Sequence, residues 1–263
     1  MTRSEKIEAL AADPAFATLG RSLTVYYGDL AHENRMAALY ARFVRPGDLA
    51  FDIGSHVGDR IGAFRRLGAR VVALEPQPLC FRALRALYGD DANVALVDAA
   101  CGAREGAISL RVNSANPTVT TASQDFVAAA DGARGWEGQT WDATHDVRMT
   151  TLDVRVTTLD ALIAAHGAPA FAKIDVEGFE ADVLAGLSRP LPALSFEFTT
   201  IQRDVAYRCL ERLSALGNYR FDLSLGESHA LAGEWISHQD MAALIAGLPH
   251  DANSGDVYCV LET

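Results

Sequence analysis

FDIGSHVGDR, residues 51–60, sets an acid, Asp52, between the apolar Phe51 and Ile53, then opens into Gly54, passes His56 and reaches Gly58. LAFDIG (49–54) has the apolar content of a buried strand, and IGAFRRLG (61–68) continues as a helix. A strand that runs through a glycine turn into a helix is the first half of a βαβ unit. The alternation repeats downstream, with RVVALEP (70–76) as a strand, a helix over about 78–88 and VALVDAA (94–100) as a strand. Short apolar runs separated by amphipathic helices of about ten residues predict parallel strands buried on both faces.

The rest of the chain frames this unit. Residues 1–46 read as a helical segment, IEALAA and then HENRMAALYARFV, in which Met36, Leu39, Tyr40 and Phe43 share one face, and Pro46-Gly47 stops it. After CGAREGAISLRV, a turn and an outlying strand, residues 113–150 are polar and carry Trp136 and Trp141. This is an insertion of the kind that serves as a lid or binding loop. The pattern resumes with VRVTTLDALIAAHG, a strand and helix, AFAKIDVEG (170–178), a helix to Gly186, and PALSFEFTT (192–200). A helix over 203–216, YRFDLSL, a helix over 238–247 and DVYCVLE (256–262) complete it. The predicted fold is a doubly wound α/β domain over 47–263 with helices before it and one insertion.

The 263 residues are 49% hydrophobic and carry a formal charge of −11, which disfavours a broad surface for nucleic acid phosphates. The amino-terminal stretch is charged, and no run approaches the roughly 18 apolar residues of a membrane span, so a cytoplasmic location is expected. Cys80, Cys101, Cys209 and Cys259 lack metal or redox spacing and read as reduced core residues.

Asp52, Glu75 and Asp98 stand at the ends of successive strands. In doubly wound sheets those ends face a common ligand crevice. An acid about 20 residues beyond a glycine turn is placed to accept hydrogen bonds from both hydroxyls of a ribose, which indicates an adenosine-containing cofactor. The glycines are read as letting the backbone approach that ligand. The third glycine of a dinucleotide fingerprint is missing, and there is no phosphate-binding G-x-x-x-x-G-K-[ST]. Asp52 would repel phosphate and tolerate S-adenosylmethionine, which carries both a sulfonium and an ammonium. Competing readings are an NAD-dependent oxidoreductase, opposed also by the lack of a Tyr-x-x-x-Lys pair, and a non-catalytic adenosine-ligand-binding protein.

FDIGSHVG, ALEPQP, TTLDAL and above all KIDVEGFE resemble the FkbM family of S-adenosylmethionine-dependent methyltransferases, over about residues 25–200. The resemblance implies a class I methyltransferase (Rossmann-like) fold, a seven-stranded sheet with its last strand antiparallel, and methylation of hydroxyls on a small-molecule acceptor. That acceptor would be a sugar, a glycan or a polyketide-type natural product. It also implies that Asp52, Gly54 and Gly58 hold the amino-acid end of the cofactor, with Ser55 and His56 in the same loop. Glu75 and Pro76 would serve the ribose, and Asp98 with Ala99 the adenine.

Lys173 and Asp175 share one strand face by the period-two rule, and Glu177 and Glu197 are expected on the same rim. Crowded carboxylates raise one another's pKa, which suits a general base. Asp175, close to donor and acceptor, with Glu177 or Glu197 as base, is the expected catalytic set. The plainer possibility is that Lys173 pairs with an acid and Glu177 caps the next helix. Three acids also suggest a hard cation, but no Asn or Asp completes a ligand spacing, so no metal is expected. His229 is expected in the acceptor pocket. His32, His145, His166, His238 and His250 are expected on surfaces or helix ends, while Trp136, Trp141 and Trp235 suit stacking on an acceptor or plain packing, the first two also lid closure.

Overall fold

The computed structural model describes residues 1–141 and 151–262. Helices α1 (Arg3–Ala12), α2 (Gly20–Tyr27) and α3 (Leu30–Tyr40) come first. The Thr2 hydroxyl accepts from Glu5 N and the Glu5 carboxylate from Thr2 N, a reciprocal cap on α1. Asp29 caps α3 through Ala31 N. α2 was not singled out from sequence. Its segment, GRSLTVYY, opens on glycine and is rich in β-branched and aromatic residues, so its helicity rests on burial of Leu23 in the core more than on propensity.

The first sheet half follows as β1 (Leu49–Ile53), α4 (Asp59–Arg66), β2 (Arg70–Leu74), α5 (Pro78–Tyr88) and β3 (Val94–Val97). Next come β4 (Ala100–Cys101), β5 (Gly106–Arg111), α6 (Gln124–Ala130) and β6 (Thr151–Thr157), which include a small sheet of order β4-β6-β5. The second half is α7 (Leu159–His166), β7 (Phe171–Ile174), α8 (Glu180–Ala185), β8 (Ala193–Thr199), α9 (Arg203–Leu216), β9 (Tyr219–Leu225), α10 (His238–Gly247) and β10 (Ser254–Leu261). The main sheet has order β3-β2-β1-β7-β8-β10-β9, with β10 antiparallel to both neighbours. Strand order reverses between β1 and β7, where Asp52 pairs with Lys173 and Ile53 with Ile174. The carboxyl ends of these two strands therefore open on the switch-point crevice.

Alternation along the strands divides the core in two. Phe51, Ile53, Leu74, Ile174 and Phe196 pack toward one layer with residues of α7 to α10, while Ala50, Val71, Phe171 and Tyr258 meet α1 to α5. The rings of Phe43, Phe171 and Tyr258 stack within the second layer, with Tyr40 tilted against Phe171. Removing such a ring typically costs about 3–5 kcal/mol. Leu10, Leu19, Met36 and Tyr40 of the amino-terminal segment belong to this same layer, so those helices complete the core of the sheet.

The insertion has more structure than its composition suggests. Val119, Phe126, Ala130 and Trp141 form a small apolar cluster, and the Trp141 indole donates to Val119 O at 3.0 Å. Residues 142–150, with His145, lie outside the described residues. Among the described residues no helix is long and apolar enough to cross a membrane, and the four cysteines are free and buried.

Candidate active site

The turn after β1 is built on backbone that side chains rarely adopt, with φ of 86° at Gly54, 45° at His56 and 85° at Gly58. Gly54 N and Ser55 N both donate to Leu74 O, at 3.0 and 2.9 Å, which draws the turn over the end of β2. A Cβ on Gly54 would collide with the main-chain oxygen of Asp175, and one on Gly58 would come within 2.7 Å of Leu84 and Tyr88. The glycines thus answer the sharp turn, as expected, and also close approaches within the protein that the sequence did not announce.

Glu75 closes β2 with its carboxylate fixed by main-chain donors, accepting from His56 N and Gln77 N at 2.8 Å each. A carboxylate offers about four acceptor positions. These bonds leave half of them for other donors. Burial pushes its pKa up to about 7, against the pull of those two N–H groups. His56 sits edge-on to Tyr26, with Nδ1 3.4 Å from Cys80 Sγ and Nε2 3.5 Å from Thr118 Oγ1. Burial lowers its pKa to about 4, so the imidazole is neutral at physiological pH.

A cavity of about 240 Å³ opens at the switch point. Gly54, Ser55, His56, Glu75, Pro76, Ala99, Asp175, Glu177 and Glu197 border it. Four sequence-derived candidates do not. Asp52 is wholly buried on the face under α3 and α4, with neither carboxylate oxygen hydrogen-bonded among the described residues. Gly58 begins α4 behind the turn, and Asp98 is exposed beyond the end of β3. His229 turns toward His32, its Nε2 3.4 Å from that of its neighbour. His32 is itself buried, contrary to the expected surface position. Of the tryptophans, Trp136 borders the cavity, Trp141 is buried in the insertion, and Trp235 meets Phe43 edge-on.

Lys173 is fully buried and donates to Asp175 at 3.0 Å and Asp256 at 2.7 Å, so its partnership with an acid is real. Although burial opposes it, these two carboxylates hold the Lys173 pKa well above its usual value. Burial pushes Asp175 up, but the Lys173 ammonium, with Arg60 behind it, prevails and holds it below the usual range. Oxygens of Asp175, Glu177 and Glu197 lie within 4.8 Å of one another, and Lys173 bonds only the first of them. Burial and then the Asp175 charge push both Glu177 and Glu197 well above the ordinary carboxylate range. The turn into α8 is anchored by Glu180, whose Oε1 accepts from Val176 N and Gly178 N at 3.0 and 3.2 Å. Glu177 stands free of that duty, at φ 54°.

Arg60 and Glu227, both unremarked in the sequence reading, also border the cavity. Arg60 bonds Asp59 at 2.6 Å and Glu227 at 3.3 Å, and lies 5.8 Å from the Tyr26 ring centroid. Arg60 closes the stretch quoted at the outset, but its burial beside Asp59 and Glu227 is a tertiary property with no local signal in the sequence. Among the described residues the walls carry six carboxylates, of Asp59, Glu75, Asp175, Glu177, Glu197 and Glu227, and one guanidinium that is already paired. A pyrophosphate would find no unpaired cation among the described residues of these walls, whereas a ligand with cationic groups and hydroxyls to donate would find acceptors. S-adenosylmethionine has that chemistry, and the donor set fits it.

Sheet order, the antiparallel β10 and an acid-lined crevice at the β1/β7 switch point define a class I methyltransferase fold. The family described as Methyltransferase FkbM domain matches residues 52–223. The chain belongs to that family and is an S-adenosylmethionine-dependent methyltransferase. Among solved structures it is similar to a precorrin-6y C5,15-methyltransferase from Geobacter metallireducens, at 12% identity over 87% of each chain and a TM-score of 0.44. It is also similar to a TehB-like SAM-dependent methyltransferase from Corynebacterium glutamicum, at 12% identity, 94% and 96% coverage and a TM-score of 0.45. Comparison with curated proteins returns no match.

Proposed function

We propose that the enzyme transfers a methyl group to a hydroxyl of a small molecule, a sugar or glycan or a polyketide-type natural product. The observation that carries this is the meeting of Asp175, Glu177 and Glu197 on the cavity wall, two of them with pKa raised by burial and like charge. S-adenosylmethionine supplies a methyl carbon already activated by its sulfonium. The protein's tasks are to hold the acceptor oxygen in line and to take its proton. Orientation supplies up to roughly 7–11 kcal/mol in the best intramolecular cases, and a positioned base about 10²–10⁴-fold. A carboxylate of raised pKa is a stronger base than an ordinary one, which suits Glu177 or Glu197 for an alcohol proton that becomes acidic as the oxygen is alkylated. Asp175, kept ionised by Lys173, orients the acceptor and favours nearby positive charge. Glu75, held by two backbone donors, binds the ribose hydroxyls. Isothermal titration tests the cofactor: micromolar binding of S-adenosylhomocysteine and none of NADH is expected, and the reverse would refute the reading. A screen of hydroxylated acceptors for release of S-adenosylhomocysteine tests the reaction. Turnover confined to amine or thiol acceptors would overturn the hydroxyl assignment.

A further inference from the structure

A second group of donors lies on the other side of the Arg60–Glu227 pair. His32 comes from the first turn of α3, while Glu227 and His229 come from the short turn after β9. Both imidazoles are buried, at 6% and 8% exposure, so packing fixes their orientation, and it aims ring nitrogens at one another. His229 Nε2 lies 3.4 Å from His32 Nε2 and 3.3 Å from Glu227 Oε2, and donor atoms of all three lie within 4.8 Å.

We propose that His32, Glu227 and His229 bind one divalent transition-metal ion, of the Zn²⁺ type, which ties α3 to the segment after β9. The distances carry this. Tetrahedral zinc with bonds of about 2.0–2.2 Å to nitrogen and oxygen separates its ligand atoms by about 3.3–3.6 Å. Two edges of the triangle already have that length. The third closes by movement of Glu227, the most exposed of the three with a side chain 44% accessible. Two imidazoles and one carboxylate are a donor set for zinc and its borderline neighbours, whereas Mg²⁺ and Ca²⁺ take oxygen.

Charge agrees. Arg60 beside the site bonds Asp59 at 2.6 Å and Glu227 at 3.3 Å, so two carboxylates face one guanidinium and leave one negative charge for a dication to meet. Both Nε2 atoms must be unprotonated to ligate, so in the ion-bound form each neutral imidazole carries its hydrogen on Nδ1. Because Glu227 also borders the cavity, the ion links the seating of α3 to the shape of the cavity wall.

The test needs neither cofactor nor acceptor, so its failure leaves the methyl-transfer reading intact. The full-length chain is stripped with chelator and titrated with Zn²⁺ against a chromophoric competitor, and Co²⁺ is added in a parallel sample. One equivalent of Zn²⁺, a Zn²⁺-dependent rise in melting temperature and the visible bands of tetrahedral Co²⁺ are expected. His32→Gln and His229→Gln should each weaken Zn²⁺ binding by roughly a hundredfold or more, and Glu177→Gln should leave it unchanged. The proposal is overturned if the stripped wild type binds no stoichiometric ion, or if Glu177→Gln abolishes binding while the histidine variants do not. Should a histidine variant fail to fold, wild-type stoichiometry and the Co²⁺ spectrum decide, an octahedral spectrum counting against it.

Discussion

The two halves of the crevice treat their carboxylates in opposite ways. On the β1–β3 side Glu75 receives two main-chain N–H groups and is locked in place. On the β7–β8 side Asp175, Glu177 and Glu197 crowd together, and the one lysine among them bonds Asp175 and Asp256 and not the two glutamates. An acid with its geometry fixed by backbone is suited to recognising a hydroxylated ligand, whereas an acid raised by its neighbours is suited to moving a proton. The halves touch where Gly54 lies against the Asp175 carbonyl.

That contact offers the most severe way to break the comparison. Gly54→Ala should destabilise the fold by roughly 4 kcal/mol or more, because it adds a clash with main chain at a positive φ. Denaturant midpoints at constant m-value measure it, and a change below about 0.5 kcal/mol would show that the joint tolerates a side chain.

Next in size, the halves should respond to amide replacement in crossed fashion. Glu197→Gln or Glu177→Gln, whichever is the base, should lower kcat by about 10²–10⁴-fold, with S-adenosylhomocysteine affinity nearly unchanged. Glu75→Gln should weaken that affinity by roughly 10–100-fold, as expected for losing a hydrogen bond to a charged group. Asp175→Asn should resemble the first pattern. If Glu75→Gln leaves affinity intact, or if neither Glu177→Gln nor Glu197→Gln slows turnover, the division of labour fails.

The smallest effect concerns Asp52, which the sequence placed at the cofactor and the structure buries wholly in the sheet. Burial, then the Asp59 charge, pushes its pKa from 3.8 to about 7. The folded chain therefore keeps a proton that the unfolded chain releases. This contribution is fully present below about pH 3.8 and is lost as pH rises through about 7. Glu75 and Glu180, both near 7, act in the same direction. Between pH 5 and 6.5 the loss due to Asp52 amounts to roughly 2 kcal/mol. Melting curves of Asp52→Asn should be flatter over that interval by this amount, and identical slopes would mean that Asp52 is ionised in the fold.

Much of this architecture was legible along the chain. Strand-ending acids, the glycine turn and KIDVEGFE located β1, β2, β7 and the crevice between them, because period and turn chemistry are local properties. The helix over 203–216 was read to its last residue, since its apolar face and following glycine mark it without help from the fold. α2 and the Trp141 cluster were not legible, for both depend on burial against distant segments. Arg60 and Glu227 are 167 positions apart, and no local pattern announces that they meet.

What the sequence determined by itself is therefore the alternation of strands and helices and the family they belong to, along with the row of acids at the strand ends. Only tertiary structure decided which acids share a cavity, and whether a glycine answers a ligand or another strand's carbonyl. It also decided that His32 and His229, 197 positions apart, face each other. The reason is physical: backbone preference and side-chain period act over a few residues, while pKa, hydrogen-bond satisfaction and ligand geometry depend on whatever the sheet order brings within a few ångströms.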